Sequence, residues 1–319
     1  MDSTAHPVLP QSRSFSYRLR RAWLTFNKTK YLFVLMLPGL AIYVVFRYAP
    51  MYGVTLAWKD FVAADGIMGS PWVGWRYFER MITLPGARRV FMNTIKISLL
   101  RLVFGFPAPI LLALMLNEVR KSGLKRVMQT ISYLPYFLSW VVIAGLVRQV
   151  LSPSSGLIGY VYGLIGQTPP MLLSDPRSFL TILIASGIWQ GIGWGTIVYL
   201  AAISGINPEL YEAGIIDGAG RFQMTWHITI PSIKGVIVIL FILNIGNMME
   251  AGFDQIFNLY NPAVYEVADI IDTYVFRMGL EGMQYSFATA VGLTKNVVGF
   301  VLLILMNQLS KSFSDQTLW

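Results

Sequence analysis

"YEAGIIDGAGRFQMTWHITIPSIKG", Tyr211 to Gly235, joins two long apolar stretches of the chain. A link between membrane spans has only to reverse the chain, yet this one is punctuated like a folded element. Just ahead of it, Asn207 suits a helix N-cap, Pro208 the first helical position, and Glu209 the first turn, where the helix dipole favours an acid. Leu210, Ala213 and Ile216 or Asp217 follow at helical spacing. Gly218 and Gly220 then permit a sharp change of direction. Phe222, Met224, Trp226 and Ile228 resume an apolar pattern, and Pro231 marks the entry to the next apolar stretch. An isolated helix this short is marginal in water, so packing must hold it. Two readings follow: an interfacial helix lying on lipid headgroups, or a docking knob for a soluble partner.

The composition around this stretch is that of a membrane protein. The 319 residues are 55% hydrophobic and 13% charged, where a soluble domain carries about a quarter charged residues. Continuous apolar runs near the length of a bilayer span recur along the chain, which predicts transmembrane helices rather than the alternating strands of a barrel. Cysteine is absent, which excludes disulfides and thiolate metal sites, and the two histidines, His6 and His227, are too few for a histidine metal cluster. The net charge of +9 is better explained by basic residues anchoring the chain to anionic lipid than by nucleic acid.

The apolar runs predict an all-α integral membrane protein with six transmembrane helices. Span one covers about 31–46 and extends toward Leu56, interrupted by Arg47 and Pro50. A segment from Trp58 to Met92 follows, carrying the interfacial aromatics Trp72, Trp75, Tyr77 and Phe78. Spans two to six are expected at about 97–116, 133–151, 179–202, 233–249 and 288–309. Residues 1–30, polar and basic without a signal-type apolar core, are expected to be a retained cytoplasmic tail. The membrane domain is then 31–309, with the loop 203–232, and 310–319 forms a second short cytoplasmic tail. The loop "NEVRKSGLKR" (Asn117 to Arg126) holds four basic residues in ten, and this density predicts both termini on the cytoplasmic side.

The opening stretch also resembles the signature of ABC-importer permeases, in which "EAA", three residues, glycine, nine residues and "I-x-L-P" follow in order. Here Glu212-Ala213-Gly214, then Gly218, then Ile228-Thr229-Ile230-Pro231 stand at that spacing. Gly214 replaces a small alanine and Ile230 a leucine, so size and apolarity are kept. "WVGWRYFERM" (Trp72 to Met81) and "FMNTIKISL" (Phe91 to Leu99) are similar to the segment before span two in sugar-importer permeases. "PAPILLALMLNE" (Pro107 to Glu118) and "YLPYFLSWVVIAGL" (Tyr133 to Leu146) resemble the branch handling oligosaccharides from polysaccharide breakdown, the alginate-oligosaccharide importers most of all.

The resemblance implies a type I ABC-importer fold in a bacterial inner membrane. Two permease chains, this one and an expected paralogue, form a pseudo-twofold pore. Two ABC ATPase subunits carry ATP and Mg, and an extracytoplasmic solute-binding protein delivers the oligosaccharide. Tyr211, Glu212, Ala213, Gly214, Asp217, Gly218, Ala219 and Gly220 would form the cytoplasmic coupling helix and its break. The chain has no G-x-x-x-x-G-K-[ST] phosphate loop and no triad or metal set, so a non-catalytic subunit that binds no cofactor itself is expected. The rival class is a secondary sugar transporter driven by an ion gradient. It predicts inverted repeats and broken helices at mid-membrane, and neither is visible in the sequence. A membrane anchor without transport leaves the elaborate loop unexplained.

Polar groups inside spans are costly and call for a reason. Asn244, Asn247, Glu250 and Asp254 fall within about a third of the circumference of an extended helix at ~100° per residue. Such a stripe suits sugar hydroxyls, or else bonds to neighbouring helices. Trp189, Gln190 and Trp194 project between Gly187, Gly191 and Gly195, whose four-residue spacing suits close helix packing. Indole faces stack on sugars, although anchoring and core packing are commoner for tryptophan. Tyr136, Ser139 and Trp140 are similar candidates. Arg101, Arg148 and Lys295 would favour an acidic, uronate-type cargo if they face the pore, and otherwise snorkel or pair with an acid.

Overall fold

The computed structural model describes residues 15–313, with side chains over 28–309, and its regular elements there are helical apart from one isolated bridge between Lys59 and Trp72. Two units divide the chain at Thr55 and Leu56. The first contains the helix Phe15–Tyr43, the π-turn Val44–Tyr48 and the start of the 3-10 stretch Ala49–Trp58. Arg47 and Pro50 therefore do not end the helix; they change its hydrogen-bond register. Pro50 lacks an N–H, and it stands in the first turn of the 3-10 stretch, where no donor is needed. By length and apolarity 28–58 qualifies as a membrane span. Helix begins at Phe15, inside the segment read as a tail. Residues 1–14 and 314–319 lie outside the described residues, and with them most of the second expected tail.

In the second unit, four further helices are long and apolar enough to cross a bilayer: 85–117, 176–204, 221–246 and 285–309. Each begins before the apolar run that marked it, because helix-compatible polar turns extend the N-terminal end. Pro85–Leu100 passes through a π-turn, Arg101–Gly105, into Pro107–Asn117. The π-turn loosens the ladder just where Pro107 and Pro109 bring no N–H groups to it. Asp175 caps Pro176–Ser204, its carboxylate accepting from the Ser178 N–H at 2.8 Å.

The expected third span differs. It is a helix Ser122–Tyr133, a 3-10 turn Leu134–Phe137 and a helix Trp140–Val150, bent by 103° at the break. Pro135 withholds a donor, and Ser139 starts the new helix by accepting from the Val142 N–H. The loop 117–126 correspondingly shrinks, since helix resumes at Ser122. Counting this bent pair as one span gives six among the described residues.

The fifth span ends early. Ile230–Gly246 gives way to turns at 247–249, and Gly252 takes a left-handed backbone (φ +86°) before the short helix Phe253–Leu259. The acidic segment beyond it is a folded cap of short helices. Asn93 donates to the Glu266 and Asp269 carbonyls at 2.9 and 3.1 Å, and the Ile271 N–H donates to Thr94 at 2.9 Å. One core packs Ile97, Phe179 and Leu183 against Ile256, Leu259 and Ile270 of this cap. A second packs Tyr77 and Val90 against Tyr274 and Phe287. Asp269 is buried in the cap and pairs with Arg277 at 2.5 Å. Burial pulls the Arg277 guanidinium down, and the Asp269 carboxylate more than reverses this, leaving it above its ordinary value.

Candidate functional site

Two places gather the residues singled out above. The first is the loop between the fourth and fifth spans. Its helix runs Pro208–Ile216, with Asn207 as N-cap accepting from the Glu209 N–H at 3.1 Å. The turn is closed by the Ala219 N–H donating to the Gly214 carbonyl at 2.8 Å, and Gly218 takes the left-handed conformation (φ +77°) that ends many helices. Gly220 does something different. It is extended and begins the helix Arg221–Met224, its N–H donating to the Gln223 amide at 2.7 Å.

The two halves of the signature touch. Tyr211 and Thr229 share a hydrogen bond at 2.9 Å, and Thr229 is buried. A Cβ on Gly214 would lie 3.1 Å from the tip of the Ile228 side chain, so the two halves pack closely there. Between the halves lies a cleft of about 340 Å³, lined by Gly214, Asp217, Gly218 and Ala219 on one side and by Gln223, Met224, His227 and Ile228 on the other. Glu212 and Ala213 are exposed on the helix. Ile216, Phe222 and Trp226 belong to the apolar pattern of the two halves, which by itself gives no direction. All three are exposed, Ile216 at 86%, as is Ile215, and Phe222 and Trp226 stack on each other at 6.4 Å.

The second place is a cavity of about 490 Å³ between the spans. Asn244, Asn247, Glu250 and Gln190 all line it. The expected helical stripe holds only as far as Asn247, which caps the helix Ile230–Gly246 and still bonds back to the Leu243 carbonyl; turns, not helical periodicity, bring Glu250 round to the cavity. Asp254, beyond the left-handed Gly252, lies outside the lining, exposed on the next short helix. Trp189 and Trp194 are also outside it. Trp194 stacks face to face on Tyr136 at 4.7 Å, and Ser139 is a cap residue, whereas Trp140 does line the cavity.

The glycine row divides in the same way. Gly195 packs on Pro109, where a Cβ would meet the ring at 2.9 Å, while Gly191 opens on the cavity with nothing near. The closest approach in this helix is at Gly193, outside the row, against the Ser132 carbonyl.

The three basic candidates separate as well. Lys295 pairs with Asp272 at 2.6 Å. Arg148 donates to the Asn258 carbonyl. Arg101 lines the cavity and donates to the Gln255 side chain. Ser98 and Gln255 escaped sequence reasoning. A serine within an apolar run is ordinary, and Gln255 lies far along the chain from its partners.

Residues 105–315 match the family described as binding-protein-dependent transport system inner membrane component. The chain is 42% identical over 300 residues to the polygalacturonan/rhamnogalacturonan transport system permease protein YteP of Bacillus subtilis (strain 168), covering 94% of both. It is 40% identical over 314 residues to protein LplB of the same organism, covering 98% of this chain and 97% of that one. It is similar at 41% identity, with a TM-score of 0.85, to a chain in the crystal structure of a bacterial ABC transporter involved in the import of the acidic polysaccharide alginate, over 92% of this chain and 100% of that one. A second structure, of the bacterial alginate ABC transporter in complex with alginate pentasaccharide-bound periplasmic protein, matches at 40% identity and the same TM-score, over 93% and 100%.

Proposed function

The chain belongs to the family of binding-protein-dependent transport system inner membrane components, and from that premise we propose how it works as a multi-pass permease subunit of an oligosaccharide ABC importer. Its cargo is an acidic, uronate-type oligosaccharide brought by an extracytoplasmic binding protein. The cavity lined by Asn244, Asn247, Glu250 and Gln190 lies on the cargo's path, amides and carboxylate together offering the paired donors and acceptors that sugar hydroxyls need. The polygalacturonan/rhamnogalacturonan and alginate importers among its relatives support an acidic cargo. Both termini face the cytoplasm, with residues 31–309 as the membrane domain and 1–30 and 310–319 as tails.

The observation that carries the mechanism is the exposed helix Pro208–Ile216, with Ile215 and Ile216 facing outward at its end. Exposed apolar side chains on a polar loop between spans mark a surface that a partner covers. That partner is one of two ABC ATPase subunits carrying ATP and Mg. It grips Tyr211 to Gly220, the other ATPase grips the paralogous permease, and closure of the ATPase pair draws the two helices together. The contact between the signature halves, Tyr211 on Thr229 and Gly214 on Ile228, makes this movement act on the fifth span rather than bend the loop. An ion-gradient carrier would have no use for such a handle.

Co-purification and ATPase assays on the assembled importer test the reading. The wild-type chain should retain an ATPase whose rate rises with loaded binding protein. Glu212→Ala should weaken that stimulation and Gly218→Pro abolish it. Sugar uptake by the purified chain alone, driven by an ion gradient without ATP, would sink it.

A further inference from the structure

We propose that Arg101 is the residue that reads the cargo's carboxylate, with Ser98 beside it, and that Gln255 and Gly252 are built to aim it. This rests on the reading of the cavity as the path of an acidic sugar, and it assigns the charge recognition to one side chain.

Arg101 is a half-buried cation inside a membrane span, at the π-turn that widens the helix. Three ion pairs form among the described residues, Arg76–Asp60, Arg277–Asp269 and Lys295–Asp272, and Arg101 belongs to none of them. Its partner is the neutral amide oxygen of Gln255. A charge held away from water without a counter-charge is unstable unless a ligand supplies one. Glu250 lines the same cavity but is exposed and makes no ion pair with it. Of the three basic candidates, Lys295 is neutralised by an aspartate and Arg148 lies outside the cavity on a carbonyl, so Arg101 alone of them presents uncompensated charge to the cavity.

The guanidinium is aimed, not loose. Gln255 is 1% exposed, and its amide nitrogen donates to the Leu183 carbonyl at 2.7 Å and to the Ser186 hydroxyl at 2.9 Å. Those two bonds fix the amide so that its oxygen faces Arg101. Gly252 provides the floor, for a Cβ there would meet the guanidinium carbon at 2.6 Å. One N–H edge is thus used by Gln255, and the rest of the planar fork remains for a bidentate carboxylate. Ser98 stands one helical turn before Arg101 and lines the same cavity. It is 5% exposed, and its hydroxyl has no hydrogen-bond partner, although serines in helices ordinarily bond back to the preceding turn. A buried, unpartnered hydroxyl beside an unneutralised guanidinium makes a seat for an oxyanion.

The test uses the complete importer in proteoliposomes, with its ATPases and binding protein. Uptake of a galacturonate trisaccharide is compared with that of the same trisaccharide reduced at its carboxyls, for wild type, Arg101→Gln, Arg101→Lys and Gln255→Leu. The binding protein's own preference cancels when each variant's uronate-to-neutral ratio is divided by that of wild type. The expected result is a fall of at least tenfold in this ratio for Arg101→Gln, partial rescue by Lys, and a raised KM for uronate with little change in maximal rate for Gln255→Leu. An unchanged ratio in Arg101→Gln, whether uptake is preserved or lost for both sugars, overturns the proposal and leaves the importer reading standing. A wild-type importer that prefers the neutral sugar overturns the acidic-cargo reading itself.

Discussion

Gly218 and Gly252 take the same left-handed backbone, at φ +77° and +86°, in opposite surroundings. Around Gly218 nothing lies within 4 Å of where a side chain would begin; at Gly252 that place is occupied by the Arg101 guanidinium. The first glycine ends a helix that packs on residues just beyond it, Tyr211 on Thr229 and Gly214 beside Ile228, and whose Ile215 and Ile216 face outward. The second starts the short helix beyond the fifth span, so that Gln255 on it can meet Arg101 of the second span and Ser186 of the fourth. A handle is built locally and kept exposed, while a cavity is built from distant pieces and kept buried. The difference predicts which substitutions harm the fold and which harm only its coupling.

The largest effect should come from Gly252→Ala. Left-handed strain and displacement of Arg101 from Gln255 together cost roughly 3 kcal/mol, read as a lower unfolding midpoint of the purified permease. Gly218→Ala carries the strain alone, about 1 kcal/mol. Equal losses at the two glycines would break the comparison. Ile216→Asp should come next, weakening ATPase association about tenfold, or ~1.4 kcal/mol, with the midpoint of the permease itself unmoved, as titration of purified ATPase onto the solubilised permease would register. Tyr211→Phe removes the bond to buried Thr229 and should cost about 1 kcal/mol of stability. It should also reduce coupled ATPase activity, because the two halves of the handle are no longer pinned.

The smallest effect belongs to Asp175, which caps the fourth span from outside it. The Ser178 backbone N–H holds its carboxyl below the usual value of 3.8. A carboxyl depressed in the folded state adds stability that is present above its unfolded value and lost as pH falls through the folded one. Asparagine caps nearly as well as aspartate, so Asp175→Asn should cost only a little stability at neutral pH, and that small loss should vanish as pH falls below about 4, flattening the acid limb in thermal melts across an acid series.

The handle was legible because its information is local. Capping, the glycine break and the signature spacing lie within 25 residues, and the helix runs from Pro208 as Asn207 foretold. What escaped there was the direction of the apolar side chains. Ile216 and Trp226 keep helical spacing whether they face a core or a partner. The cavity was only half legible. Asn244 and Gln190 were found because polar residues in apolar runs stand out. Asp254 was wrongly joined to them, because periodicity carries past a helix end that nothing in an apolar run announces.

By itself the sequence determined the membrane-spanning class, the family and the form of the loop, since hydropathy, capping and motif spacing are properties of neighbouring residues. Only the tertiary structure decided that the third span bends by 103° between Phe137 and Trp140, that Lys295 is neutralised by Asp272, and that Arg101 alone of the three basic candidates meets the cavity uncompensated. Those outcomes depend on which side chains arrive opposite one another. Residues 154 positions apart, as Arg101 and Gln255 are, share no local signal that records their meeting.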